Sequence, residues 1–478
     1  MKQRKCNLLY MLLIAVFVLS SCSKSSQKNA KFIPDNAAVI SIDVKQIIEK
    51  SKIADNADAK KKLQATMEEG VKNQETKNLI KKIMEDPTKA GIDLTEPIFV
   101  FFADNNDKQA AVATISSKDD FLELANALQK EDGGEPVKEK DGIQYIQDGK
   151  AVVAFDDAAF FISESYSLDD VIAKFKNDDT KGTMAENDDF AKLAEAKGFI
   201  KALIPMAIAE GVMDADAKRM LPEGAELKDL SIILNLTTDK GEAKLSFETI
   251  AKSDAWKNYI KESTEMCGKI TGDYLKYLPK GAFMMYANFN GKKLFEMFDK
   301  KGIFDQDGVK DIKDEVKKVL EAIEGDFALG VGNINVDKSD AMNMPEVVAY
   351  LKTKDASITD MAKEQGLNPE EKMDFGFKNG ATYFAVGENA AFTEAKSGFD
   401  KSVISGRRVY IFCDIATIAK VIGIVNNDAA SAADAASEYI KTAEFYDTSD
   451  TAGELVVKMS DAEKDPIENI VNLIAKQF

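Results

Sequence analysis

The stretch PDNAAVISIDV at residues 34–44 returns as PKGAFMMYANF at residues 279–289. Each opens on a proline, Pro34 or Pro279, and places an alanine three residues on, Ala37 or Ala282. Each then runs through apolar residues to a polar one, Asp43 or Asn288. A helix start follows both times, Ile47-Ile48-Glu49 answering Leu294-Phe295-Glu296. Further along, Phe190-Ala191-Lys192 is matched by Phe399-Asp400-Lys401, each ahead of an apolar strand-like run. Hairpin signals at residues 237–242 and 448–454 precede Ser253-Asp254-Ala255-Trp256-Lys257 and Ser460-Asp461-Ala462-Glu463-Lys464, with Ile260 answered by Ile467. Matches in one constant order are the mark of an internal duplication. The chain reads as two divergent copies, residues 32–268 and 276–478, packed side by side.

Within the first copy, strand-like runs cover residues 38–44, 98–103, 110–115, 142–146, 151–155, 159–162, 230–236 and 243–250. Asp156-Asp157, Asp104-Asn105-Asn106-Asp107 and Asp239-Lys240-Gly241 punctuate them as turns. Turns this short predict antiparallel pairing. Residues 53–84 read as a charged, largely solvated helical stretch. Residues 118–128 read as a helix opened by Ser117, with Asp119 and Asp120 in its first turn. The expected class is α+β, an antiparallel sheet with flanking helices in each copy.

Outward from the duplicated body lies the N-terminus. Lys2, Arg4 and Lys5 precede the apolar run of residues 8–19, which is shorter than the roughly 20 residues a membrane-spanning helix needs. With its basic flank it has the form of a signal peptide, residues 1–21. Leu19-Ser20-Ser21-Cys22 resembles the lipobox of bacterial lipoproteins, so Cys22 is the expected site of diacylglyceryl and palmitate-type acyl attachment. Several chains anchor where one binds only marginally. Residues 22–31 read as a polar, lipidated tether. Ser23 in place of aspartate after the lipidated cysteine points to the outer membrane. The lysines at 24, 28 and 31, in place of an acidic cluster, point to its periplasmic face.

Composition excludes whole classes of chemistry. Of 478 residues none is histidine, which removes Ser-His-Asp and Cys-His nucleophile systems and the HExxH metal site. The net charge of −18 falls to about −21 once the three basic residues of the leader are gone, and such a surface repels nucleic acid. No cofactor and no metal are expected. After cleavage and lipidation only Cys267 and Cys413 remain as thiols, and both a disulfide and separate burial stay open. Residues 304–308, FDQDG, fail as a calcium loop: with Gly308 at position six, Ile303 falls at one and Asp314 at twelve. Asp214-Ala215-Asp216 and Asn187-Asp188-Asp189 read as turns or helix caps. Gly330-Val331-Gly332 lies in an apolar run and lacks the third glycine of a dinucleotide loop. Trp256, the one tryptophan, has Glu463 as its counterpart, which favours local packing over a repeated sugar platform.

The lipobox, the opening motif at Pro34 to Asp43 and the duplicated body together resemble an uncharacterised lipoprotein family of gut Gram-negative anaerobes, known as a domain of unknown function. The resemblance implies anchoring and duplication and brings no catalytic residues. Asp450-Thr451-Ala452 matches the short Asp-(Ser/Thr)-aliphatic motif for O-glycosylation in such organisms, making Thr451 a candidate modification site. Two function classes remain. The first is a non-enzymatic module that binds an envelope protein or peptide. The alternative is a carboxylate- or metal-dependent hydrolase acting on envelope or glycan substrates.

Overall fold

In the computed structural model, residues 28–477 are described apart from residues 70, 105–106, 212, 215–217, 219–220, 280, 306–308, 333–345, 368–372, 388–390, 395–397 and 420–435. The leader and Cys22 lie outside the described residues, as do parts of the acidic stretches at 214–216 and 304–308. The first half carries β1 (Ala38–Ile42), β2 (Ile98–Ala103), β3 (Lys108–Thr114), β4 (Lys138–Lys140), β5 (Ile143–Asp148), β6 (Ala151–Phe155), β7 (Ala159–Ser163), β8 (Ile200–Pro205), β9 (Leu230–Asp239) and β10 (Glu242–Ala251). The second half carries β11 (Gly281–Asn288), β12 (Ile323–Gly332), β13 (Glu346–Thr353), β14 (Met373–Lys378), β15 (Ala381–Val386), β16 (Val409–Asp414), β17 (Ile440–Asp447) and β18 (Ala452–Met459). With the helices around them, the class is α+β.

The 18 strands of the described residues join one sheet and every pair is antiparallel. The halves meet where β10 pairs β18, Ser246 opposite Glu454. Outward from this seam the first half runs β10, β9, β8, β1, β2, β3, β7, β6, β5, β4. The second half runs β18, β17, β16, β11, β12, β13, β15, β14. On both sides the half's first strand stands fourth from the seam. Its register also corresponds: Ser41 lies between Phe99 and Lys201, and Tyr286 between Ala328 and Tyr410.

Period-two alternation sends one set of side chains to each face of this sheet. On one face of the first half Val39, Phe99, Phe101, Val112 and Phe161 form a core; on the other, Ile98, Ala113, Phe155, Phe160 and Ile162 form a second. Helices cover the latter face: α1 (Val44–Ser51), α3 (Gln74–Glu85) and α4 (Lys118–Asp132), with α2 (Ala57–Glu69) beside them. Asp43 caps α1, accepting from the Gln46 N–H at 2.9 Å, and Ser117 caps α4, accepting from the Asp120 N–H at 3.2 Å. Further helices are α5 (Leu168–Lys176), α6 (Asp188–Glu195), α7 (Asp254–Met266), α8 (Gly291–Lys300), α9 (Lys313–Glu321), α10 (Ser357–Glu364), α11 (Lys401–Ile404) and α12 (Pro466–Gln477). Residues 187–189 open α6, Asn187 accepting from the Asp189 N–H at 2.9 Å.

The terminal helices exchange sides. The first half's last helix, α7, lies on the second half's first, α8, with Lys293 to Glu265 at 2.7 Å and Lys300 to Glu262 at 3.6 Å. The second half's last helix, α12, lies on α1 and α2 of the first, with Asn56 Nδ2 donating to Asn472 Oδ1 at 2.9 Å. Just ahead of α12, Asp465 pairs with Lys50 at 3.2 Å.

Two expectations need correction. Residues 53–84 are not one solvated helix: a new helix starts where Asn73 accepts from the Glu75 N–H at 2.8 Å. Its stripe of Leu79, Ile80, Ile83 and Met84 is buried. The tether does not extend to Lys31, because residues Lys28–Phe32 form a 3-10 turn packed on the sheet. Asn29 there donates to Thr114 Oγ1 at 2.9 Å, and Ala30 and Phe32 enter the core. The matched segments also differ in place: residues 253–257 open α7, whereas residues 460–464 precede α12. Pro466, whose ring suits a first helical position, delays α12 to that residue.

Candidate functional site

At the seam, β10, β17, β16 and β11 send Phe247, Phe445, Val409 and Met285 to one face of the sheet, and α7 crosses above them. Phe247 and Phe445 lie parallel, ring centres 5.9 Å apart and planes 6° from parallel. Between them stands Gly453, where a Cβ would come within 2.5 Å of the Phe247 ring. The missing side chain makes room for the Phe247 ring to lie over β18. Tyr259, Ile260, Thr264 and Cys267 of α7 and its C-terminal end form the wall. The cleft is open to the surface, measures about 520 Å³ and has a predominantly apolar lining, within the size range of small-ligand sites.

The rim is polar and charged. Arg408 donates from its backbone N–H to Asp447 Oδ1 at 2.7 Å, lies 3.6 Å from Asp447 Oδ2, and pairs with Asp450 through Nη2. Its Nε is buried without a protein acceptor. Neighbouring Arg407 lies 3.7 Å above the Tyr446 ring and donates to the Asp447 carbonyl at 2.9 Å. These two of the chain's four arginines fasten the end of β17. Their adjacency was the sequence signal for the rim, and sequence reasoning passed over it.

The structure brings two sequence candidates here and separates a third. Cys267 is in the wall, and Thr451 is on the β17–β18 turn at the rim, its carbonyl accepting from the Thr249 N–H at 2.8 Å. Cys413 lies on β16 opposite Phe283 and does not line the cavity. Both cysteines are free, so the disulfide is not formed. Burial pushes the Cys267 thiol up, with nearby Arg408 pulling the other way, and burial raises Cys413 also. A raised thiol is a poor nucleophile at neutral pH. Trp256 packs locally: its indole donates to the Glu226 carbonyl at 2.8 Å and its ring meets Tyr259 edge-on.

The opposite face of the seam carries the carboxylates nearest to a hydrolase arrangement. Glu444 accepts from the Tyr410 hydroxyl at 2.9 Å and from Lys458 at 2.8 Å. Glu454 accepts from the Tyr446 hydroxyl at 2.8 Å, with Lys244 at 3.5 Å. Burial and these carboxylates push Tyr446 up to about 12 and raise Tyr410 further. Each phenol keeps its proton and spends it on a carboxylate, which ties the strands together. Asp326, buried on β12, accepts from Thr271 N–H and hydroxyl, Gly272 N–H and Asn288 Nδ2 at 2.6 to 3.1 Å. That many donors to one buried carboxylate make it the anchor of the loop leading into β11. No group of three metal-ligating side chains is found among the described residues.

Comparison with curated proteins and with solved structures yields no match. A family profile does match, over residues 30–370, from the packed 3-10 turn through the whole first half and across the seam to α10. The chain belongs to the family described as domain of unknown function DUF4836.

Proposed function

We propose that this chain is a lipid-anchored protein of the outer membrane, facing the periplasm, whose body is a non-enzymatic binding module. In this reading Cys22 carries the lipid, residues 1–21 are removed, and residues 32–268 and 276–478 are divergent copies of one unit. The matching order of strands on the two sides of the seam and the exchanged terminal helices support the duplication. The binding site is the cavity between β10, β17 and α7, and its occupant is an apolar segment of another envelope protein or peptide. One observation carries this: a largely apolar cleft of about 520 Å³, open to the surface and floored by the parallel rings of Phe247 and Phe445. Thr451, on the rim, is the candidate for O-glycosylation.

Against hydrolysis stands the state of the carboxyls. Those clearly displaced, such as Glu75, Asp170, Asp273 and Asp461, lie below their ordinary range through hydrogen bonds and lysine partners. A general acid needs the opposite displacement.

The test is affinity capture from native envelopes with the chain and with Thr264→Phe, which fills the cavity from the helix side. The variant loses the partner that the unaltered chain retains. Equal capture by a folded Thr264→Phe chain moves the site elsewhere. Metabolic labelling with a clickable fatty acid reads the anchor, and undiminished label on Cys22→Ala refutes it. Saturable turnover of a glycosidase, esterase, phosphatase or peptidase substrate, lost on replacing one carboxylate, would restore the hydrolase.

A further inference from the structure

The two ends of the sheet are finished differently. At the first half's end β5 covers β6, and β4 follows with only Lys138, Glu139 and Lys140, all exposed. A strand so short and so charged is a protected edge. At the second half's end β14 pairs β15 on one side, and no strand among the described residues pairs its other side. In order from the seam β14 holds the place of β6, the strand that in the first half is covered by another antiparallel strand. Six residues long, MDFGFK, it offers only Asp374 and Lys378 as charges and leaves Phe377 exposed. A free, largely apolar edge of this kind is a template for pairing.

We propose that β14 pairs antiparallel with β14 of a second copy of this chain, about a two-fold axis at Gly376, joining two sheets edge to edge. The choice of a second copy rests on the strand's own pattern. Asp374 and Lys378 stand two residues on either side of Gly376. Self-pairing about that glycine sets Asp374 opposite the partner's Lys378 at both ends and Phe375 opposite the partner's Phe377. Opposite charges and aromatic pairs directly across an antiparallel ladder are both favourable. The axis falls at a residue without a side chain, where the Tyr383 ring already fills the space a Cβ would need, 2.9 Å from its hydroxyl. A two-fold contact of this type is self-complementary and closes at the dimer.

Equilibrium sedimentation of the full chain in detergent tests this. The unaltered chain is dimeric. Asp374→Lys and Lys378→Asp, each placing like charges opposite one another twice, weaken the dimer roughly tenfold or more. The double variant Asp374→Lys/Lys378→Asp restores it, which a merely misfolded edge would not do. Lys140→Ala at the other edge leaves it unchanged. A monomeric unaltered chain at every loading overturns the proposal and leaves the edge to a strand of a different protein. A dimer indifferent to both single reversals overturns it as well.

Discussion

Ser41 and Tyr286 hold the same place in the pairing scheme, fourth strand from the seam, yet they sit in oppositely built cores. Around Ser41 the volume comes from Phe99 and Phe101 on β2 and from Phe161 on β7. Around Tyr286, β12 contributes Ala328 and Gly330, and the volume comes from Tyr286, Tyr350 and Tyr410. Gly330 has no room for more: a Cβ there would lie 2.9 Å from the Pro279 ring and 3.3 Å from Leu278. Large and small residues have changed strands while the total is kept, the exchange a close-packed interior tolerates best. Tyrosine brings a hydroxyl that must be satisfied. Tyr286 accepts from the Tyr274 N–H at 3.0 Å and Tyr350 from the Phe392 N–H at 3.0 Å. The second half therefore ties its loops to the sheet with phenols, where the first builds apolar clusters on both faces.

The largest effects test whether the two cores stand or fall together. Phe101→Ala and Tyr286→Ala each remove a fully buried ring and should cost about 3–5 kcal/mol. Because β10–β18 and the exchanged helices join the halves, urea unfolding followed by circular dichroism and by the one tryptophan should remain a single transition that either change lowers. Two separate transitions, only one of them shifted, would make the halves independent. Asp326→Ala leaves three backbone and side-chain N–H donors of the second half without their acceptor and should cost about 3 kcal/mol. Thermal unfolding measures it; an unchanged midpoint would remove Asp326 as the anchor.

The halves should also part at high pH. Burial lifts Tyr274 and Tyr446 to about 12 and raises Tyr286 and Tyr410 beyond, whereas in the first half Tyr166 is the one so displaced, also to about 12. An unfolded tyrosine ionises near 10. The folded form therefore holds more protons above that pH; its stability is complete below 10 and is lost as pH rises through about 12. Tyr446→Phe should flatten the alkaline fall in stability, read by urea titration at a series of pH values; an unchanged fall would remove Tyr446 as a source of it. The smallest effect belongs to the helix exchange: the Lys300–Glu262 pair is exposed, and Lys300→Ala should cost below about 0.5 kcal/mol. A larger loss would mean that the α7–α8 contact depends on charge and not on packing.

Much of this was readable residue by residue. Strands at 98–103 and 151–155 fall where their apolar runs predict, and Ser117 caps the helix it opens. In the first half one strand escaped notice and one was read only as an apolar run after Lys192, both for physical reasons. β4, Lys-Glu-Lys, has no apolar residue and exists only because β5 lends it a partner. β8 carries Lys201 in its middle, buried under the last turn of α6, whose Ala196 carbonyl accepts from its ammonium at 3.2 Å; burial lowers its pKa. A lysine inside a strand reads as solvent-facing unless the helix end that receives it is known. The cavity was hidden for a similar reason: Phe247, Met285 and Phe445 look like ordinary core positions, each in its own strand.

Local order in the chain determined the α+β class, the caps, the tight turn at Gly241 and the absence of imidazole chemistry. All of these depend on residue type and on spacings of a few positions, which a linear reading contains. The seam, the exchange of α7 and α12, the rim of Arg408, Asp447 and Asp450, and the unequal sheet edges depend on partners up to 416 residues apart. Antiparallel strands of similar alternation can pair in many orders, and the two-residue period is blind to which. Packing volume and the need to satisfy buried polar groups made the selection, and those act only once the chain is folded.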